Sequence, residues 1–270
     1  MINRRKHIHF IGIGGIGMSG LAHICVEQGL PVSGCDARLN RTARALRERR
    51  VPIEIGHDPA HLKPDVGLVV HSAAVRPDEP ELSEARSRRV PLMSRGELLA
   101  ELSAPKRLIA VAGAHGKTTT SGMASQLLLQ SGWDPTSVVG GIMRASGSNA
   151  RYGRGTYFVA ETDESDGSFL LLSPEIAIVT NIDREHLNHY RTFDNLIDAF
   201  RAFVQKLGPG GTLIACHDDP VIRRVLSHLN QLRYGLEVGA DLTADRIRLQ
   251  EYGSSFRALY RGRRLGTFHL

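Results

Sequence analysis

The chain has 270 residues, 41% hydrophobic and 23% charged, which is enough for one large domain or two moderate ones, with two the better expectation. Three widely spaced cysteines, Cys25, Cys35 and Cys216, argue against a disulfide framework, agree with a reducing cytosol and form no metal-type pair. The formal charge is +6, yet the basic residues are scattered through stretches such as RTARALRERR rather than gathered with aromatics, so a solvated helix face is expected there and not a nucleic-acid surface; a modest positive field also suits a polyanionic small molecule.

The start, MINRRKHIHFIGIGGIG, imitates a signal peptide, but glycines interrupt its apolar run and no small-residue cleavage site follows, so it reads as a strand. No apolar segment approaches the roughly 20 residues that span a bilayer, and membrane insertion is not expected. HIHFIGI, GIGMSGLAHICVEQG, PVSGCD, NRTARALRERR, VPIEIG and DVGLVVHSAA then alternate β-rich with amphipathic runs, the pattern of a parallel sheet with crossover helices. Between the first strand and helix, Gly12, Gly14 and Gly17 match the dinucleotide loop, in which glycines permit a tight turn and let amides approach a pyrophosphate. Asp36 ends the next strand, where such folds hold a ribose hydroxyl. The motif alone fits a nicotinamide dinucleotide or another diphosphate ligand.

A polar bridge, LLAELSAPKR, leads to a second start at LIAVAGAHGKTTT, with the boundary near residues 104–106. This predicts a Rossmann-like parallel-sheet domain over 1–104 and a P-loop α/β domain over 105–270. The second holds a helix to Ser131, strands at TSVVG, TYFVAE and EIAIVTN, a helix FDNLIDAFRAFVQKL and a strand GTLIAC. After about Gln231, RIRLQEYG, SSFRALYRG and RRLGTFHL read as a small antiparallel portion. The chain stops on Leu270 with no cap, turn or polar tail, and so reads as a fragment.

VAGAHGKTTTSGM has the ending of a phosphate loop, but Val111 occupies the position of the usual first glycine. Gly116, Lys117 and Thr118 lie between the strand LIAVAG and a helix, where amides would cradle phosphates, Lys117 would neutralise the β- and γ-phosphates and Thr118 would reach Mg²⁺. In VAETDESDGSF a strand ends in Glu161, Asp163, Glu164 and Asp166; in IVTNIDREHLNHY another ends in Asn181, soon followed by His186. Loops after parallel strands share one sheet edge, so Lys117, Glu161 and His186 are expected to converge. Alone, the acidic run is a solvated loop and the histidine structural; opposite a phosphate loop they become magnesium ligands. His186 and His189 have a zinc-like spacing, but no further Cys or His cluster completes a tetrahedron.

In combination these segments resemble the Mur ligases of peptidoglycan synthesis. The ATP loop of that family is the short form Gly-Thr-x-Gly-Lys-Thr, which GAHGKTTT follows, and the similarity runs through GIGGIGMSGLA, HSAAVRPDEPEL, SNARYGRGTYFVAETDESDGSFL and TNIDREHLNHYRTFDNL in the expected order. The resemblance implies a cytoplasmic, ATP- and Mg²⁺-dependent amide ligase of the alanine-adding branch, joining L-alanine to UDP-N-acetylmuramate through an acyl phosphate. It implies that Gly14, Gly15, Ile16 and Gly17 bind the diphosphate of the UDP-sugar, with Ser72 nearby and Asp36 towards the uridine. It carries Gly113, Ala114, His115, Gly116, Lys117, Thr118 and Thr119 onto ATP, Thr118 and Glu161 onto magnesium, and His186 onto a second metal or the acyl-phosphate region; Lys117, Glu161 and His186 are the implied catalytic set. Ala114 replaces the family threonine, and Asn188 replaces the aspartate of His-x-Asp-x-Tyr, which removes a negative charge there. LIDAFRAF lacks the modified lysine of other branches, in agreement with the alanine-adding one. Family members continue with an adenine-contacting segment and a third domain, so an incomplete enzyme is expected. Two rivals remain: a nicotinamide-dependent oxidoreductase, which leaves the second loop unexplained, and a non-catalytic nucleotide- or UDP-sugar-binding module.

Overall fold

The computed structural model describes residues 7–270; the basic head of the signal-peptide comparison lies outside the described residues. The chain first builds β1 (His7–Ile11), α1 (Ile16–Glu27), β2 (Val32–Asp36), α2 (Arg41–Glu48), β3 (Ile53–Ile55), β4 (Val66–His71), α3 (Pro80–Ser87), β5 (Leu92–Ser94) and α4 (Arg95–Ser103). Their strands form one parallel sheet in the order β3-β2-β1-β4-β5. The strand order reverses beside β1, which places the loop after β1 next to the loop after β4, the crevice where open α/β sheets take ligands.

The second sheet begins with β6 (Arg107–Ala112), α5 (Lys117–Gln130), β7 (Thr136–Met143), β8 (Ser148–Arg151), β9 (Tyr157–Glu161) and β10 (Ile176–Val179). It continues with α6 (Leu187–Tyr190), α7 (Phe193–Val204), β11 (Thr212–Cys216), α8 (Pro220–Leu226), β12 (Gln231–Tyr234), β13 (Leu242–Gln250), β14 (Gly253–Tyr260) and β15 (Arg263–His269). Its ten strands run β15-β14-β13-β12-β11-β10-β6-β9-β7-β8. Central β6 is buried from Leu108 to Ala112, the continuous apolar run of a strand covered on both faces. β6 pairs in parallel with β9 and β10, so the loops after these three strands are neighbours.

The α/β architecture, the parallel first sheet and the antiparallel β13-β14-β15 portion agree with the sequence reading. Two local readings change, and two segments with no assignment in the sequence gain one. The supposed bridge LLAELSAPKR is largely the end of α4, which a Ser94–Glu97 capping box starts and whose Leu98, Leu99 and Leu102 form one buried face. SNARYGRG contains β8, antiparallel to β7; its polar side chains hid it because Asn149 is buried by hydrogen bonds rather than by hydrophobicity. β12 is still parallel to β11, so the antiparallel portion begins only with β13. PDEPELSEARSRRVPLMS, unassigned in sequence, supplies α3 and β5.

α1 is buried at every position from Met18 to Cys25 because it lies between the first sheet and the β7–β8 hairpin. The three cysteines are free. Among the described residues no helix is long and apolar enough to cross a membrane.

At the far end Asp241 is a staple: its carboxylate accepts from Arg233 Nε at 3.0 Å and Arg261 Nε at 3.2 Å. The Arg233 hydrogen bond holds the Asp241 carboxyl far below its ordinary 3.8. Because the folded-state value is depressed, this stabilisation is present above about pH 4 and is lost as pH falls towards the folded value. Asp241→Asn is expected to cost about 1–3 kcal/mol near neutrality, with the gap to the parent narrowing towards about pH 3 in urea unfolding. A gap independent of pH would overturn this account.

Candidate functional site

Helices α2, α4, α7 and α8 begin on side-chain caps, namely Asn40, Ser94, Thr192 and Asp219. Helices α1 and α5 begin on Gly15 and Gly116, with no side-chain cap and no acidic residue in the first turn. First-turn amides have no partner inside a helix, so these two N-termini keep their donors and positive dipole ends for whatever enters beside them.

The first glycine loop is braced from below. Cys35 O accepts from Gly12 N and Ile13 N at 2.9 and 3.0 Å, and Asp36 Oδ2 accepts from Gly14 N at 2.8 Å. Asn40 Nδ2 and Thr42 Oγ1 donate to Gly14 O. Asp36 thus shapes the loop directly.

The second loop is laced to the strand beside it. His115 N donates to Asn181 Oδ1 at 2.8 Å, while Asn181 Nδ2 and Thr180 Oγ1 donate back to His115 O. Gly113 has φ +135°, and a Cβ there would meet Thr180 Oγ1 at 2.1 Å, so this turn admits only glycine. Ala114 N bonds to Asn181 O at 3.3 Å, so a backbone amide braces the position where the Mur pattern has threonine. The His115 ring faces Asp183 at 3.3 Å; Thr119 is exposed in the first turn of α5.

Lys117 Nζ donates to Gly113 O at 2.5 Å and to Glu164 Oε1 at 2.6 Å. Glu164 is 2% exposed, and burial pushes its carboxyl up although Lys117 opposes the shift; its Oε2 has no hydrogen-bond partner. His186 opens α6 in the left-handed region, with Nε2 3.5 Å from Glu164 Oε1. Thr118 Oγ1 donates to Glu161 Oε1 at 3.1 Å, and Gly140 N donates to Glu161 Oε2 at 2.6 Å. The structure therefore brings Lys117, Thr118, Glu161 and His186 to one edge, but His186 enters through Glu164 rather than through Glu161. His189 lies edge-on to Tyr190 and Asn188 is exposed in α6.

Three functional candidates were not singled out in the sequence. Glu164 was one of four acidic residues, and only its burial distinguishes it. Arg95, the first residue of α4, crosses to the other sheet and donates to Asp163 Oδ2 at 2.7 Å, with Asp166 Oδ2 at 3.8 Å. Asn149 of β8 donates to Ile16 O and to Ser19 Oγ in α1. No motif announces either contact. Between the sheets lies a cleft of about 300 Å³ lined by Gly15, Gly17, Ser72, Arg95, Lys117 and Glu161.

Residues 7–107 match the Mur ligase family, catalytic domain, and residues 111–269 match the Mur ligase middle domain. The chain belongs to the Mur ligase family. It is 44% identical over 269 residues to the UDP-N-acetylmuramate–L-alanine ligase of Aquifex aeolicus, covering 99% of this chain and 59% of that protein. The ligase of the same name from Syntrophus aciditrophicus is 46% identical over 273 residues, covering 100% of this chain and 57% of the relative. The crystal structure of the UDP-N-acetylmuramate–alanine ligase of Thermotoga maritima superposes with a TM-score of 0.87 at 30% identity, covering 98% of this chain and 60% of that one. The chain thus spans about three fifths of the length of the relatives it matches.

A Cβ at Gly140 would stand 2.5 Å from Glu161 Oε1. Gly140→Ala in this Mur ligase chain is therefore expected to swing Glu161 off Thr118; on the sequence expectation that these two side chains hold Mg²⁺, it should weaken Mg²⁺-dependent nucleotide binding at least about tenfold, the size of losing one charge-assisted contact. Calorimetry with and without Mg²⁺ checks this; an unchanged Mg²⁺ dependence with unchanged circular dichroism would overturn that expectation for Glu161.

Proposed function

We propose that the chain carries the UDP-sugar and ATP sites of a cytoplasmic UDP-N-acetylmuramate–L-alanine ligase of peptidoglycan synthesis. Residues 1–104 hold the UDP-sugar in this reading and residues 105–270 hold ATP. The observation that carries it is the single cleft onto which the two glycine-started helices, α1 and α5, open, one from each sheet. A nicotinamide oxidoreductase needs the first loop but gives no role to Lys117, Thr118 and Glu161 at the same cleft. The free thiols agree with a reducing compartment.

In the reaction a muramate carboxylate oxygen bonds to the γ-phosphorus of ATP as the bond to the ADP oxygen breaks. The alanine nitrogen then bonds to the acyl carbon, inorganic phosphate departs and the amine loses a proton. The loop amides of Gly116 to Thr119 and the Lys117 ammonium bind the nucleotide phosphates, and the α1 N-terminus with Gly15 and Gly17 binds the sugar diphosphate. Lys117 exchanges its bonds to the Gly113 and Ala114 carbonyls for phosphate oxygens, while Glu164 keeps the ammonium aimed into the cleft. The hydroxyl of Thr118 and the carboxylate of Glu161 are hard oxygen donors suited to Mg²⁺. Held by these two side chains, Mg²⁺ would supply charge neutralisation at the phosphate oxygens as two anions approach. His186 approaches the same Glu164 oxygen as Lys117, and in this reading it serves the acyl-phosphate region. Arg95 draws the sugar-binding loop and the acidic loop together.

Calorimetry with UDP-N-acetylmuramate, Mg-ATP and NADH tests the reading: binding of the first two without NADH is expected, and NADH binding with no response to the others would sink it. Lys117→Ala is expected to weaken Mg-ATP by about 1.5–3 kcal/mol and UDP-N-acetylmuramate by clearly less. Equal losses for both ligands would show that Lys117 does not act on the nucleotide phosphates.

A further inference from the structure

We propose that Cys35, His57 and Glu81 form a binding site for a borderline-soft divalent cation of the Zn²⁺ class, apart from the nucleotide cleft. Cys35 ends the buried part of β2, His57 follows the turn after β3, and Glu81 stands in the first turn of α3. Their donor atoms all lie within 4.8 Å of one another. Cys35 Sγ is 3.6 Å from His57 Nδ1, and that nitrogen is 3.3 Å from Glu81 Oε1. Tetrahedral Zn²⁺, with bonds of about 2.3 Å to sulfur and about 2.1 Å to nitrogen and oxygen, requires S···N of about 3.6 Å and N···O of about 3.4 Å. The folded chain already holds these edges of the tetrahedron.

The rest of the shell fits. Glu81 is fully buried, and its Oε2 has no hydrogen-bond partner, which leaves an unsatisfied carboxylate oxygen inside the fold. His61 Nδ1 lies 3.1 Å from Glu81 Oε1, and Asp58 N donates to the same oxygen at 3.1 Å, the outer-shell bonds that orient a ligating carboxylate. A fourth ligand is at hand in water or in Glu79, whose Oε1 is 3.7 Å from His57 Nδ1. The His57 side chain is 25% exposed, which gives an ion a way in. A thiolate, an imidazole and one carboxylate favour zinc over the hard cations that the Thr118 and Glu161 oxygens suit.

Binding forms an S–metal bond and releases the Cys35 thiol proton to solvent, with His57 neutral and its ring proton on Nε2. The ion would tie β2, the turn after β3 and α3 together. Because Cys35 O holds Gly12 N and Ile13 N, it would also anchor the first glycine loop.

The test uses Co²⁺ as a spectroscopic substitute with the full chain. One equivalent is expected to give tetrahedral ligand-field bands and a thiolate-to-metal charge-transfer band, both displaced by Zn²⁺, and Zn²⁺ is expected to raise the unfolding midpoint. Cys35→Ser should abolish the charge-transfer band, and His57→Gln, which keeps the thiol, should weaken Zn²⁺ at least about tenfold. Cys25→Ser, Cys216→Ser and His186→Ala should each leave the band intact, separating this site from the other two thiols and from the cleft. A folded parent chain with no charge-transfer band, or a band that survives Cys35→Ser, would overturn the proposal and leave the cluster as a hydrogen-bond network only.

Discussion

The site depends on two helix N-termini that no side chain caps. Capping is worth about 1 kcal/mol, and this chain uses it at α2, α4, α7 and α8. At α1 and α5 a glycine stands in that place, which forgoes the stabilisation and leaves backbone donors directed into the cleft. The surrounding bonds are the counterpart: Asp36, Asn40 and Thr42 hold Gly14, and Thr180 with Asn181 holds His115. The loops are rigid where they meet the protein and unsatisfied where they meet a ligand.

Lys117 and Glu164 set the charge of that cleft. A carboxyl as buried as Glu164 is pushed towards its neutral form, and the ammonium at 2.6 Å opposes this. Each group therefore makes the charged state of the other less costly. The strength of this buried pair keeps the Lys117 ammonium in place at the cleft, where its bonds to the Gly113 and Ala114 carbonyls are the ones it can exchange.

Much of this was legible in the sequence because glycine motifs, strand runs and the acidic loop are local signals. Gly116-Lys117-Thr118 after LIAVAG, and Gly12 to Gly17 after HIHFI, needed only the adjacent strand and helix to be interpreted. The convergence of Lys117, Glu161 and His186 followed from the rule that parallel strands present their loops on one edge. What escaped was non-local. Arg95 and Asn149 belong to no motif and the segment of α4 reads as a polar bridge, because each is defined by the partner sheet that it touches. Glu164 differs from Asp163 and Asp166 only in burial, which periodicity does not report in a six-residue acidic turn. Cys35, His57 and Glu81 come from three separate elements, so no spacing rule joins them.

The helix that begins at the first glycine loop also explains how the two sheets act on one cleft. An ordinary surface helix has a polar face, but α1 is enclosed on both sides, by the first sheet and by the β7–β8 hairpin of the second. Asn149 binds the Ile16 carbonyl in its first turn, and Ser148 Oγ lies 3.4 Å from His23 Nδ1 further along. The same turn that leaves its amides open to the cleft is thus held from behind by the sheet that carries the second glycine loop. Arg95 adds a second tie at the cleft itself, but Asp163 is 39% exposed, so solvent reduces that ion pair to about 1 kcal/mol or less. The packing of α1 is therefore the stronger tie, and any movement of the two sheets must carry α1 and the first glycine loop with one of them.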